Sequence, residues 1–173
     1  MSHPVLPIAV AAVFLASTAD VSAAPPVWLA VTRSVEIAAP PSKVWTVMGD
    51  FGDMSYLATA VERTEIVKGV NNRIGAQRRI ELKGGGIVLE TLTARRPYRI
   101  SYRMDESGLP VADYTSTLRV VASESGSKLT WSGQFRSRSV GNVAGADADQ
   151  IAIDTIAGIY KGGLAAIKTA AER

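Results

Sequence analysis

The residues in this sequence best suited to chemistry are an arginine and a glutamate set among apolar side chains. Arg78 alternates in step with Ile74, Ala76, Ile80 and Leu82, so in an extended strand it shares their face. Glu90 shares a face with Val88, Leu92 and Ala94 in the next such segment. If the chain reverses at Lys83-Gly84-Gly85, Leu82 pairs with Gly86, Ile80 faces Val88, and Arg78 faces Glu90. A charge on an apolar face needs a partner, and one falls here on the same rung. Two uses stay open for such a pair: a structural ion pair on the sheet, or a polar anchor for something bound beside it.

Aromatic side chains gather on similar faces. Tyr98, Ile100, Tyr102 and Met104 alternate in one segment, Tyr114, Ser116, Leu118 and Val120 in another, and Leu129, Trp131, Gly133 and Phe135 in a third. Arg99, Ser101, Arg103, Thr115, Thr117 and Arg119 take the opposite, solvent-facing side. Each aromatic residue has two readings, core packing or ligand contact. Together they offer an apolar surface with phenolic tips, which suits a hydrophobic or aromatic ligand.

Other chemistries are excluded. The sequence has no cysteine, and its one histidine, His3, lies in the first few residues. The chain after them therefore lacks the side chains of Ser-His-Asp and Cys-His catalysis and of common zinc and iron sites. No cofactor, metal ligand set or catalytic residue is assigned. Gly84-Gly85-Gly86 precedes a strand rather than a helix, so it reads as a hairpin turn and not a phosphate cradle. Asp147 and Asp149 complement a helix N-terminus.

The elements that must position these residues follow from hydrophobic period. Leu29 to Ile37 alternates and reads as a first strand, stopped by Ala39-Pro40-Pro41-Ser42. Lys43 to Met48 reads as a short helix with proline at its start. Gly49-Asp50-Phe51-Gly52 breaks it, and Asp53 can cap a shorter turn through Tyr56-Leu57. Strands are predicted near 61–69, 74–82, 86–95, 98–104, 113–122 and 127–137, with glycine, proline and asparagine turns between them. From Ala146 to Ala171 the period changes to helical, with Ile153, Ile156, Tyr160, Leu164, Ile167 and Ala171 on one face. Gly158, Gly162 and Gly163 interrupt that helix; they either leave room beside it or are simply tolerated there. A large sheet with one apolar face needs a cover, and this helix is the element long enough to supply it. The predicted fold class is α+β.

The order of elements, the segment Val35-Glu36-Ile37-Ala38-Ala39-Pro40-Pro41-Ser42-Lys43-Val44-Trp45, the Gly49-Asp50-Phe51 that follows, and Ile159-Tyr160-Lys161-Gly162-Gly163-Leu164 near the end resemble the helix-grip superfamily. That superfamily includes START domains, birch-pollen-allergen-like proteins and the polyketide cyclase/dehydrase group. Within it, the likeness is strongest to small periplasmic proteins associated with bacterial methanol oxidation. These share Gly-Asp-Phe-Gly and a Pro-Val-x-x-Tyr segment, matched here by Pro110, Val111 and Tyr114. Members often carry Trp-x-Pro in the second short helix. Here that place reads Leu57-Ala58-Thr59, so the aromatic gate is absent or has moved to Tyr56. The resemblance implies a curved antiparallel sheet of about seven strands around the C-terminal helix, enclosing a pocket. The candidate ligand-binding residues are Arg78, Glu90, Tyr102, Tyr114, Trp131, Phe135 and Tyr160.

Composition and the N-terminus bear on setting. Of 173 residues, 47% are hydrophobic and 20% charged, enough to bury a core. The net charge of +3 is scattered, with short pairs such as Arg78-Arg79 and Arg95-Arg96, and forms no nucleic-acid stripe or polybasic membrane patch. Val5 to Ala16 has the length of a secretion-signal core and is too short to span a bilayer, and Val21-Ser22-Ala23 supplies small residues for cleavage. Residues 1–23 are therefore expected to be a signal peptide, and 24–173 one helix-grip domain, periplasmic or secreted, with no membrane span. The expected function is to hold a small hydrophobic ligand without catalysis. The alternatives are docking on a periplasmic redox enzyme, which the resemblance implies, and a cyclase/dehydratase-like reaction.

Overall fold

The computed structural model describes residues 27–139 and 141–173. The expected signal peptide lies outside the described residues. The chain runs β1 (Leu29–Ile37), α1 (Pro41–Met48), a short 3-10 turn (Ser55–Leu57), β2 (Val61–Lys68), β3 (Gln77–Leu82), β4 (Ile87–Arg96), β5 (Arg99–Glu106), β6 (Val111–Ser123), β7 (Gly126–Ser137) and α2 (Ala146–Ala171). The strands form one seven-stranded sheet in the order β1-β7-β6-β5-β4-β3-β2, and every neighbouring pair is antiparallel. Only β1 pairs with a strand distant in sequence; every other pairing is closed by a local turn. The α+β helix-grip expectation holds.

The concave face of the sheet wraps α2. Ile156, Tyr160, Leu164, Ile167 and Ala171 on the helix meet Val31, Ile37, Leu129, Trp131 and Phe135 from β1 and β7, all buried in one core. Polar contacts fix the C-terminal end of the helix to β1. Lys168 Nζ donates to the Glu36 carbonyl at 2.7 Å, and Glu172 accepts from the Ala38 amide at 2.7 Å. At the other end, the Ser137 hydroxyl donates to Asp149 in the first helical turn.

Two glycines let helix and sheet approach closely. A Cβ on Gly133 of β7 would collide with the Tyr160 hydroxyl, and one on Gly163 of α2 would collide with the Trp131 ring. Gly158 and Gly162 meet nothing and leave open space, whereas Gly163, grouped with them in the sequence, leaves no room because the Trp131 ring fills it.

Some strand limits differ from the sequence expectation, each for a local reason. β3 begins at Gln77 rather than at 74, because Gly75 takes φ +88° and turns the chain. Ile74 is consequently 71% exposed and does not share the Arg78 face. Tyr98 lies in the β4–β5 turn at φ +65°, exposed and edge-on to Trp45 at 6.2 Å, and not on the inner face with Tyr102. β6 starts at Val111 rather than 113, and a bulge between Ala112 and Thr115 holds Asp113 at φ +52°. Arg33, within β1, is exposed.

Candidate functional site

A cavity of about 630 Å³ lies between the sheet, α2 and the 3-10 turn. The sheet supplies Ile80, Val88, Ile100, Tyr102, Met104, Leu118 and Trp131, and α2 supplies Thr155, Ile156, Ile159 and the two open glycines. Met54, Tyr56 and Leu57 close one side, beside Leu82, Lys83 and Gly85 of the β3–β4 hairpin. A hollow of about 650 Å³ at the β5–β6 end is lined by Trp28, Arg103, Asp105, Glu106, Asp113 and Arg138. Arg103 pairs with Asp105 within its lining and Asp113 with Arg136 beside it, and its wall is more polar than that of the first.

Arg78 and Glu90 stand in the wall of the first cavity. Antiparallel pairing of β3 with β4 sets Arg78 opposite Glu90 and Ile80 opposite Val88, the rungs anticipated from sequence. Both residues are 5% exposed. Arg78 Nε donates to Glu90 Oε2 at 2.8 Å, and Nη2 lies 2.6 Å from the same oxygen. Nη1 donates to the Phe51 carbonyl at 2.8 Å. The guanidinium also packs against the rings of Phe51, at 4.4 Å, and Tyr102, at 5.1 Å. Burial pushes the Glu90 carboxyl up, against the pull of the Arg78 charge. For Arg78, burial works against the charged form, but the Glu90 carboxylate, Tyr56, Tyr102 and the hydrogen bond to Glu90 together outweigh it, so the guanidinium stays charged.

The Phe51 carbonyl is placed by a loop whose role sequence reasoning missed. The Gly49-to-Gly52 stretch does end α1, as its glycines implied. It is also pinned to the β2–β3 turn: Asn72 Oδ1 accepts from the Phe51 amide at 2.9 Å, and Asn71 donates to Asp50 Oδ1 at 2.6 Å. Arg95 donates to the Gly49 carbonyl at 2.9 Å from the far side. No side-chain pattern marks a backbone oxygen as an acceptor. The Asn71-Asn72 pair read only as a turn.

Behind the cavity lies a buried hydroxyl network. Tyr114 and Tyr160 share a hydrogen bond at 2.8 Å, and Trp131 Nε1 donates to Ser116 Oγ at 2.6 Å. The Trp131 and Tyr160 rings stack at 4.5 Å, and Tyr114 stacks on Phe135 at 6.2 Å. Burial, then the nearby Glu90 charge, pushes the Tyr102 hydroxyl well above 10, and burial does the same to Tyr114. Both phenols are neutral hydrogen-bonding groups at ordinary pH.

Of the seven candidate residues, Arg78, Glu90, Tyr102, Tyr114 and Trp131 line the cavity. Phe135 and Tyr160 do not line it; both are fully buried, stacked behind Tyr114 and Trp131, and support the wall from the core. Tyr56 lines the cavity, in the place where the resemblance allowed an aromatic gate to have moved.

Comparisons with known proteins agree with this geometry. A search of curated proteins finds no match. Among solved structures, XoxI from Bacillus cereus is 28% identical with a TM-score of 0.67, over 82% of this chain and 94% of that one. The ZhuI aromatase/cyclase from Streptomyces sp. R1128 is 20% identical with a TM-score of 0.67, over 84% and 94% of the two chains. Ara h 8.0201 is 21% identical with a TM-score of 0.64, over 83% and 97%. At such identity the last two show the shared fold alone. The family model described as polyketide cyclase / dehydrase and lipid transport matches residues 29–172, and the chain belongs to that family.

Proposed function

We propose that the protein is an exported, non-catalytic carrier or sensor that holds a small hydrophobic or aromatic ligand between sheet and helix. The observation that carries this reading is the largely apolar, partly open cavity of about 630 Å³ between sheet and helix, a volume within the range of about 300–1,000 Å³ usual for small-molecule sites. Export rests on the leader-like N-terminal sequence. Among the described residues no helix is long and apolar enough to cross a membrane.

Two observations weigh against the alternatives. Docking on a periplasmic redox enzyme, which the resemblance to proteins associated with methanol oxidation implies, calls for an exposed apolar patch around Phe51 to Leu57. Phe51 is fully buried there, Met54 nearly so, and Tyr56 and Leu57 turn toward the cavity. A cyclase/dehydratase reaction calls for a free acid or base. Among the described lining residues Glu90 is the only carboxylate, and it is engaged by Arg78.

Native mass spectrometry of the protein purified from the envelope of its own cells tests the proposal. The expected result is a folded species carrying a small apolar molecule that organic extraction removes. A species that is empty, takes up no apolar probe and emerges only with a protein partner overturns it.

A further inference from the structure

We infer that the cavity selects an uncharged ligand with a hydroxyl head group, such as a phenol or alcohol, held at the Arg78–Glu90 pair, and excludes the carboxylate of the same skeleton. This rests on the ligand-binding reading above and names the ligand class for that site.

The inference comes from what the pair leaves unused. Arg78 directs Nε and Nη2 at one carboxylate oxygen, Glu90 Oε2, and Nη1 at the Phe51 carbonyl. Terminal guanidinium N–H groups remain over, since an arginine carries more donors than these contacts use. Glu90 Oε1 accepts no hydrogen bond among the described residues. The pair lines the cavity and keeps unused donors on Arg78 and an unused acceptor on Glu90. A hydroxyl is both at once: its oxygen accepts from Arg78 and its hydrogen goes to Glu90. Tyr102 and Tyr114, also in the wall, add neutral hydroxyls.

A carboxylate meets a different site. Glu90 already neutralises Arg78 inside the wall. An entering anion would add a second negative charge beside Glu90 with no cation of its own, and a buried, unpaired charge is disfavoured. Lys83 is the other cationic side chain in the lining, and it belongs to the exposed hairpin. Apart from the hydroxyls of Tyr56, Thr59, Tyr102, Tyr114 and Thr155, the rest of the wall is mainly apolar, so the remainder of the ligand is hydrocarbon or aromatic ring.

Calorimetric titration of the extracted protein with naphthol, naphthoate and unsubstituted naphthalene at neutral pH tests the selection. The expected order is naphthol first, by about tenfold or more over naphthoate, a preference equal to one decade in Kd. Glu90→Gln removes the negative charge and is expected to reverse the preference toward naphthoate. If that variant does not fold, the double variant Arg78→Met with Glu90→Leu keeps the wall neutral and apolar, and there naphthol should lose its advantage over naphthalene. Naphthoate binding as tightly as naphthol to the unaltered protein overturns the inference while leaving the ligand-binding reading intact. So does a double variant that still favours naphthol over naphthalene. Failure of all three probes to bind overturns both.

Discussion

The Arg78 guanidinium and the Glu90 carboxylate meet at 2.6 Å across adjacent strands, and each is almost fully withdrawn from solvent. One residue along, Arg79 pairs with Glu81 on the outer side, where both side chains are about one-third exposed. The two ion pairs use the same residue types at neighbouring positions and differ in burial.

Removing one member of a buried pair strands the other charge, at a cost of about 3–5 kcal/mol. Exposed pairs are worth about 0–1 kcal/mol. Arg78→Ala is therefore expected to lower the urea midpoint sharply and to weaken naphthol binding. Arg79→Ala should shift either measurement little. Equal effects of the two substitutions in titration and unfolding would place Arg78 outside the cavity wall.

The same contrast between crowded and open positions applies along α2. A Cβ at Gly163 would press into the Trp131 ring, which itself stacks on Tyr160. Overpacking of this kind costs about 1–3 kcal/mol, and alanine's better helix propensity returns at most about 1 kcal/mol. Gly163→Ala should therefore lower stability and alter the Trp131 fluorescence. Gly158 has open space where its Cβ would go. Gly158→Ala should raise stability by up to about 1 kcal/mol. Urea midpoints moving in the same direction for both would show that helix propensity, not contact with Trp131, governs these positions.

How far the sequence foretold this arrangement depended on whether local rules applied. The Arg78–Glu90 rung was legible because three glycines in a row fix where the hairpin turns, and strand alternation does the rest. The long helix was legible from its period. Alternation puts Tyr98 on the inner face, because alternation alone cannot show that the residue after Pro97 turns to positive φ. Phe135 and Tyr160 share the inner face in the sequence pattern, but a shared face does not say which side chain stands in front. That order is set by packing between β7 and α2, where Gly133 and Gly163 admit the neighbouring rings. The Phe51 carbonyl was invisible, since it is recruited by the Asn71–Asn72 turn from across the fold.

The outer carboxylates set the behaviour in acid. Burial alone would raise Asp50 and Asp105, but hydrogen bonds outweigh it, from Asn71 and Gly52 to Asp50 and from Thr91, Gln77 and Arg103 to Asp105. Both carboxyls therefore titrate below their ordinary value of 3.8 in the folded protein. The unfolded chain binds these protons first as pH falls, so protonation favours unfolding. The stabilisation is fully present above 3.8 and is lost as pH drops through that value to the lower folded ones. Glu90 has the opposite sign, since its folded value is raised above 4.5 and its ionisation opposes folding as pH rises through that interval. Urea midpoints measured down through this acid range are expected to fall, and to fall less steeply in Asp105→Asn, which no longer titrates. An unchanged slope in that variant would mean that the contacts Asp105 makes with Thr91, Gln77 and Arg103 survive its protonation.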